Sequence, residues 1–201
     1  MAASRKIGLI GGGDLSRQLR LLLPPAKFVV FDDASPLPLA ASLEKRYKDF
    51  EFYIALGYRH LKKRSEVIRF LKEAGRRVPA FIHPSCFVGK ATVADGCFVY
   101  PRCNLDNGVI LEEGVLLNNS VTLSHDTFVG ECSYLSPSVT TSGFVHIGKY
   151  CFLGTGTVIS DGITIGDGVK VGIGSVVTQD YSARISIIGN PAREISRDLE
   201  I

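Results

Sequence analysis

No CxxC pair occurs in this 201-residue chain, and its five cysteines (Cys86, Cys97, Cys103, Cys132 and Cys151) are an odd number. Neither a disulfide framework nor a zinc knuckle is therefore expected. The cysteines read as small buried residues of a reduced compartment. No run of about 18 apolar residues appears, so nothing is expected to span a membrane. The opening "MAASRKIGLIGGG" lacks the long apolar core of a signal peptide. Together these features point to a cytoplasmic protein. Charge of one sign is also scarce. The formal net charge is only +3 and the basic residues are scattered, so no nucleic-acid partner is expected.

Two patterns divide the chain, and we read an α/β unit over 1–81 and a repeat unit over 82–201. The first alternates short apolar runs with helical stretches. "KIGLIG", "KFVVFDD", "FEFYIAL" and "VPAFIHP" read as strands. "DLSRQLRLLL", with Asp14 available to cap it, and "LKKRSEVIRFLKEAG" read as helices. This order predicts a small Rossmann-like, largely parallel sheet of four strands.

From Phe87 a period of six takes over and runs through Val93, Val99, Leu105 and onward to Val177, with Thr141 the one position that is not apolar. Two residues before most of these stands a small or β-branched side chain, as at Cys97, Val109 and Val121. Six residues suit one short strand plus a turn, and three such units make a coil of eighteen. Large aliphatics would stack inside, with coils about 4.8 Å apart. Small residues would let the backbone turn at the corners.

This repeat resembles the left-handed parallel β-helix of hexapeptide acyltransferases. The tail "GSVVTQDYSARISIIGNPAREI" is similar to the closing segment of those enzymes. With "FIHPS" at the junction, the layout resembles the sugar-nucleotide acetyltransferases of bacterial glycan synthesis. That family includes N-acetyltransferases of the bacillosamine pathway and sialic acid O-acetyltransferases. The resemblance implies an acetyl-CoA-dependent N-acetyltransferase acting on a nucleotide-linked amino-deoxy sugar, with UDP the expected nucleotide, and a homotrimer with active sites shared between neighbours. O-acetylation of a sugar, or a non-catalytic assembly module, are the competing readings.

Acetyl transfer needs a base for the nucleophile, a donor for the developing oxyanion and a frame for both substrates. "NNSVTLSHDTFVG" supplies His125 and Asp126. An imidazole can take the proton, and a carboxylate can fix its tautomer. The resemblance assigns the base to His125 and adds Asn118 from the preceding asparagines. Adjacent strand residues point to opposite faces, so Asp126 would reach His125 only across a turn or from a neighbouring subunit. His60, His83 and His146 are expected to be structural or solvent-facing. A β-helix zinc site as in carbonic anhydrase needs a close histidine pair. His125 and His146 are not the eighteen residues apart that stacking requires, so no metal is expected.

"GLIGGGDLS" follows a strand and opens a helix, where Gly11, Gly12 and Gly13 can bring backbone N–H groups to a phosphate, although the third glycine of a dinucleotide fingerprint is missing. Asp32 and Asp33 end the next strand, where an acidic residue often reads a nucleoside. Gly57 and one of Arg59, Lys62, Lys63 and Arg64 are candidates near the diphosphate; a solvated helix face is the plain alternative. For the coenzyme the candidates are Gly143, Gly154, Gly172 and Gly174, which are equally suited to tight corners, with Lys170 or Arg184 at its phosphates.

Overall fold

The computed structural model describes residues 5–196. Strands β1 (Arg5–Ile10), β2 (Ala26–Phe31) and β3 (Glu51–Ile54) form a parallel sheet in the order β2-β1-β3. Helix α1 (Asp14–Leu22) follows β1, and α2 (Leu61–Glu73) follows β3. Asp14 is not the cap of α1. Gly13 holds that position, and the Asp14 carboxylate pairs with Arg17 one turn on. The expected fourth strand is not part of this sheet. Arg77 makes one isolated bridge to Glu51, and the Phe52 N–H donates to Arg77 O at 2.8 Å. The next ladder bond would need an N–H from residue 79, which is proline. The chain leaves the sheet there, and Phe81–Ile82 pairs instead with Phe98–Val99.

Those two residues are the first rung of a left-handed parallel β-helix. Its strands are two residues long and pair with the strand one coil away, as Leu116–Leu117 does with Phe98–Val99 and with Tyr134–Leu135. Three flat faces result. The outward residues of the first face are Phe98, Leu116, Tyr134, Phe152 and Lys170. The second carries Asn104, Thr122, Thr140 and Val158, and the third Ile110, Phe128, His146 and Thr164. The inward partners from Val99 to Val177 are buried. Thr141 joins them because its hydroxyl has partners inside the core, Thr127 Oγ1 at 3.1 Å and the Ser124 N–H at 3.3 Å.

Every sixth residue from Gly96 to Gly174 has a positive φ, and this single left-handed residue turns each corner. Seven of these corners are not glycine: Arg102, Ser120, Asp126, Cys132, Ser138, Phe144 and Tyr150. The repeat slips at its start. Val88, not Phe87, pairs with Leu105, and Phe87 is 62% exposed. The step from Val88 to Val93 is thus one residue short. The outermost coil has no coil beyond it to enforce the spacing.

The α/β unit docks on the first face and on the corner between the third and first faces. Tyr53, Phe98, Tyr100 and Leu116 share one buried cluster with Ile7, Leu9 and Leu19. Arg64 of α2 is 1% exposed, so it is not on a solvated face. Its guanidinium donates to Ile54 O at 2.6 Å and Leu56 O at 3.2 Å beyond β3, and to Gly114 O at 2.7 Å and Gly96 O at 3.1 Å on two stacked corners. Glycine at both corners lets α2 approach: a methyl group on Gly114 would lie 2.6 Å from Cys132 Sγ and 2.7 Å from Ile68 Cδ1, and one on Gly96 would lie 3.0 Å from Ile68 Cδ1.

Removing that guanidinium leaves four carbonyls short of a donor in a dry interface. Arg64→Ala is expected to lower the unfolding free energy by about 3–5 kcal/mol, measured by denaturant titration. Arg64→Lys should recover less than half, because a compact ammonium does not span four acceptors. A loss under about 1 kcal/mol for Arg64→Ala would refute this role.

Candidate active site

His125 and Asp126 occupy a corner between the second and third faces. Asp126 takes the left-handed position, φ 56°, which swings its carboxylate back beside its neighbour. His125 Nδ1 and Asp126 Oδ2 are 3.1 Å apart within one chain, so no second subunit is needed for this pair. The turn residue overrides the strand rule that adjacent side chains diverge. Gly108, one coil before, leaves room for the Asp126 carboxylate. Both side chains are about half exposed.

One coil further on, Gly143 lies against the imidazole. A methyl group there would stand 2.5 Å from His125 Cε1 and 2.6 Å from Nε2. Phe144 follows, 60% exposed, with its ring edge-on to the imidazole at 4.9 Å between centroids. A phenylalanine at φ 55° is an unusual turn residue. It walls one side of the histidine. Spacing by eighteen from Asp126 locates Phe144, but the corner register is needed first. With Asp126 on Nδ1, the Nε2 lone pair is the one free to accept a proton. Among the described residues, the Gly143 N–H has no acceptor.

Asn118 lies on a different corner, between the first and second faces, and its amide donates to Tyr134 OH at 2.9 Å. It is not brought to His125. Gly154, Gly172 and Gly174 share that corner column with Asn118. A methyl group on Gly154 would meet the backbone of Ile173 at 2.7 Å, and Gly174 has φ 63°. Gly154 is required by the coil itself, and Gly174 takes the left-handed corner position. Gly172 and Lys170 line a cavity.

In the α/β unit, Gly11, Gly12, Gly13, Asp32, Gly57 and Arg59 line one cleft of about 340 Å³. Gly11 has φ 109°, and a methyl group there would touch Ala55 O at 2.9 Å. Its N–H bonds to Phe31 O, and the Gly12 N–H donates to Asp32 Oδ2. Asp32 Oδ1 also accepts from the Ala34 N–H at 2.9 Å. Those two backbone donors hold the Asp32 carboxyl below the usual carboxylate range, so it stays ionised at neutral pH. The groups left to meet an anion are the N–H groups of Gly13, Asp14 and Leu15, since that of Ser16 donates to Gly13 O at 3.1 Å. Asp33 faces away and accepts from the Leu39 N–H at 2.9 Å.

Two cavities adjoin this cleft. One of about 570 Å³ shares Gly12 and Asp32 and runs along Ala34, Ser35, Pro36 and Leu37. The other, about 770 Å³, shares Tyr58, Arg59 and His60 and lies between α2 and the first face. Its walls are basic at Lys62, Lys63 and Lys170, and aromatic where Tyr58 packs on Phe152 with centroids 4.9 Å apart. The substrate and coenzyme candidates Arg59, Lys170 and Gly172 therefore meet in one space. Tyr58 carried no signal in the sequence. Among the described residues, no group of three or more His, Cys, Asp or Glu side chains is arranged to hold a metal, and no helix is long and apolar enough to cross a membrane. His146 is exposed and stacks on Phe128 at 4.5 Å, while His83 bonds Ser85.

No curated protein sequence matches the chain. A family model described as the hexapeptide repeat of succinyl-transferase matches residues 144–179. Among solved structures, the acetyltransferase domain of PglB from Neisseria gonorrhoeae in complex with acetyl coenzyme A is 27% identical. The match covers 96% of this chain and 100% of that one, with a TM-score of 0.86. A histidine-to-asparagine mutant of perosamine N-acetyltransferase from Caulobacter crescentus, in complex with CoA and GDP-perosamine, shares the fold at 23% identity. There the match covers 97% and 98% of the two chains, with a TM-score of 0.86. WeeI from Acinetobacter baumannii shares it at 22% identity over 96% and 100%, with a TM-score of 0.83. The chain thus carries the hexapeptide repeat, and from end to end its fold resembles that of hexapeptide-repeat acetyltransferases with an N-terminal α/β unit.

Proposed function

We propose that the chain transfers the acetyl group of acetyl-CoA to the amine of a nucleotide-linked amino-deoxy sugar in cytoplasmic glycan or lipopolysaccharide synthesis. UDP is the expectation from sequence; GDP is the nucleotide in the perosamine enzyme complex. The carrying observation is the His125–Asp126 pair, with Nε2 aimed over a glycine whose N–H is free. His125 takes the proton of the amine, Asp126 holds the imidazole in register, and the Gly143 N–H meets the oxyanion. Residues 1–81 read the nucleotide through Gly13, Asp32, Gly57 and Arg59, and residues 82–201 carry the transfer. Lys170 and Gly172, with Gly143, are the proposed donor contacts.

The His125 corner is opposite the first face of the prism, and the first face is where the α/β unit and its cleft sit. A single chain holds the base and the nucleotide on opposite sides. The proposed remedy is a cyclic homotrimer, in which the His125 corner of one subunit closes on the cleft of the next.

Assay of acetyl-CoA against amino and hydroxy sugar nucleotides tests the reaction, and transfer to none of the amines would overturn it. His125→Ala is expected to lower kcat by about 10²–10⁴-fold with the thermal midpoint unchanged. Gly143→Ala has no left-handed φ to pay for, yet its methyl group pushes the imidazole aside. It should leave stability near wild type and reduce kcat/KM by about 10²-fold. Co-expressed His125→Ala and Arg59→Ala chains should regain part of the activity that each lacks alone. No recovery would mean that base and cleft serve from the same chain.

A further inference from the structure

Along the corner that carries His125, the residues one coil apart are Asn107, His125, Gly143 and Asp161. The methyl group that Gly143 lacks would stand 2.6 Å from His125 Nε2 and 3.1 Å from Asp161 Oδ1. Both side chains therefore lean over the same glycine from opposite coils, and a small group resting just outside it touches both. At the other β-helix turns, Asp95 pairs with Lys72, Asp106 accepts from Asn107, Asp126 from His125, Asp167 from Lys149 and Asp180 from Thr164. Asp161 is exposed and has no such partner among the described residues. It is a carboxylate across Gly143 from His125 Nε2, with no cation paired to it among the described residues.

We propose that Asp161 is the anionic subsite for the acceptor's ammonium group and makes the enzyme select an amine over a hydroxyl. This rests on the acetyltransferase reading and deepens it. At neutral pH a sugar amine arrives largely as R–NH3⁺, with N–H donors for Asp161 and His125 Nε2 together. Nε2 takes one proton, giving the imidazolium and R–NH2. The nitrogen lone pair attacks the thioester carbonyl and forms the C–N bond, with the oxyanion against the Gly143 N–H. The nitrogen is then positive again and Asp161 faces that charge. Collapse breaks the C–S bond, the thiolate takes the proton from the imidazolium, and the nitrogen releases its remaining extra proton to water. The products are the amide, coenzyme A thiol and one proton. A hydroxyl acceptor brings no positive charge and gains nothing from Asp161.

The test is Asp161→Asn, which keeps size and removes charge at an exposed corner, assayed beside Asp161→Glu. For the amine acceptor, Asp161→Asn should raise KM about tenfold or more, leave KM for acetyl-CoA unchanged and reduce the preference for amine over the matching hydroxyl sugar. Asp161→Glu should restore part of the loss. Wild-type KM and acceptor preference in Asp161→Asn would overturn the subsite while leaving the acetyltransferase reading intact. A wild-type enzyme that acetylates no amine, or hydroxyls alone, overturns both, and the wild-type control tells these failures apart.

Discussion

One buried guanidinium sets the relation between the two halves of this chain. Arg64 reaches from α2 to the carbonyls beyond β3 on one side and to two stacked corners of the β-helix on the other. Among the described residues no carboxylate pairs with it; four carbonyl dipoles carry the solvation that water would otherwise supply. Full burial drives its pKa down from the ordinary arginine value. Such a group tolerates one geometry. Helix α2 is therefore fixed in angle and height against the coil, and the surrounding contacts follow. Ser65 bonds Glu131, Lys72 bonds Glu113, and Ile68 lies over Gly96 and Gly114. The cavity between Tyr58, Arg59 and the first face exists because this joint holds the walls apart at a set distance.

The second constraint is the corner. A coil of three short strands must reverse its direction three times, and each reversal uses one left-handed residue. Because the inward ladder is satisfied by the strand residues, the corners are free to differ. Gly96 and Gly114 admit a helix, Asp126 and Phe144 frame an imidazole, and Gly143 clears the space beside it. Chemistry is thus added at turns with no loss of core, which is how His125 sits in an apolar repeat without interrupting it.

What could be read from residues alone follows from these two constraints. The ladder from Val93 to Val177 was legible because every inward position obeys one local rule. The His125–Asp126 pair was legible as adjacent chemistry, though its contact depends on a positive φ that no propensity for aspartate specifies. Rows of residues eighteen apart were in principle legible too, yet Asn118 shows the limit. Seven residues before His125, it lies on another corner, because a coil turns through one face every six residues. Arg64 was not legible at all. A lysine- and arginine-rich helix reads as a solvated surface, and only the docked coil reveals which of its basic residues is inside. Likewise Pro79 removes the donor that would have continued the sheet, and the strand after it is captured by the first coil.

The joint and the corner together separate recognition from chemistry. The cleft is lined by the loops that follow β1, β2 and β3, while β3 and α2 meet the coil through Tyr53, Arg64, Ser65 and Lys72. The proposed base, His125, belongs to a corner whose register is held by coils on both sides. On the proposed trimeric reading, a change in the Asp32 or Tyr58 region alters which sugar nucleotide is held, while the distance from His125 Nε2 to the reacting amine is set by how two rigid bodies meet. Side-chain positions on both bodies are fixed by backbone hydrogen bonds or by packing, as Asp32 is by Gly12 and Ala34. The site can therefore be preorganised in each partner before they close, and little ordering remains for the substrate to induce.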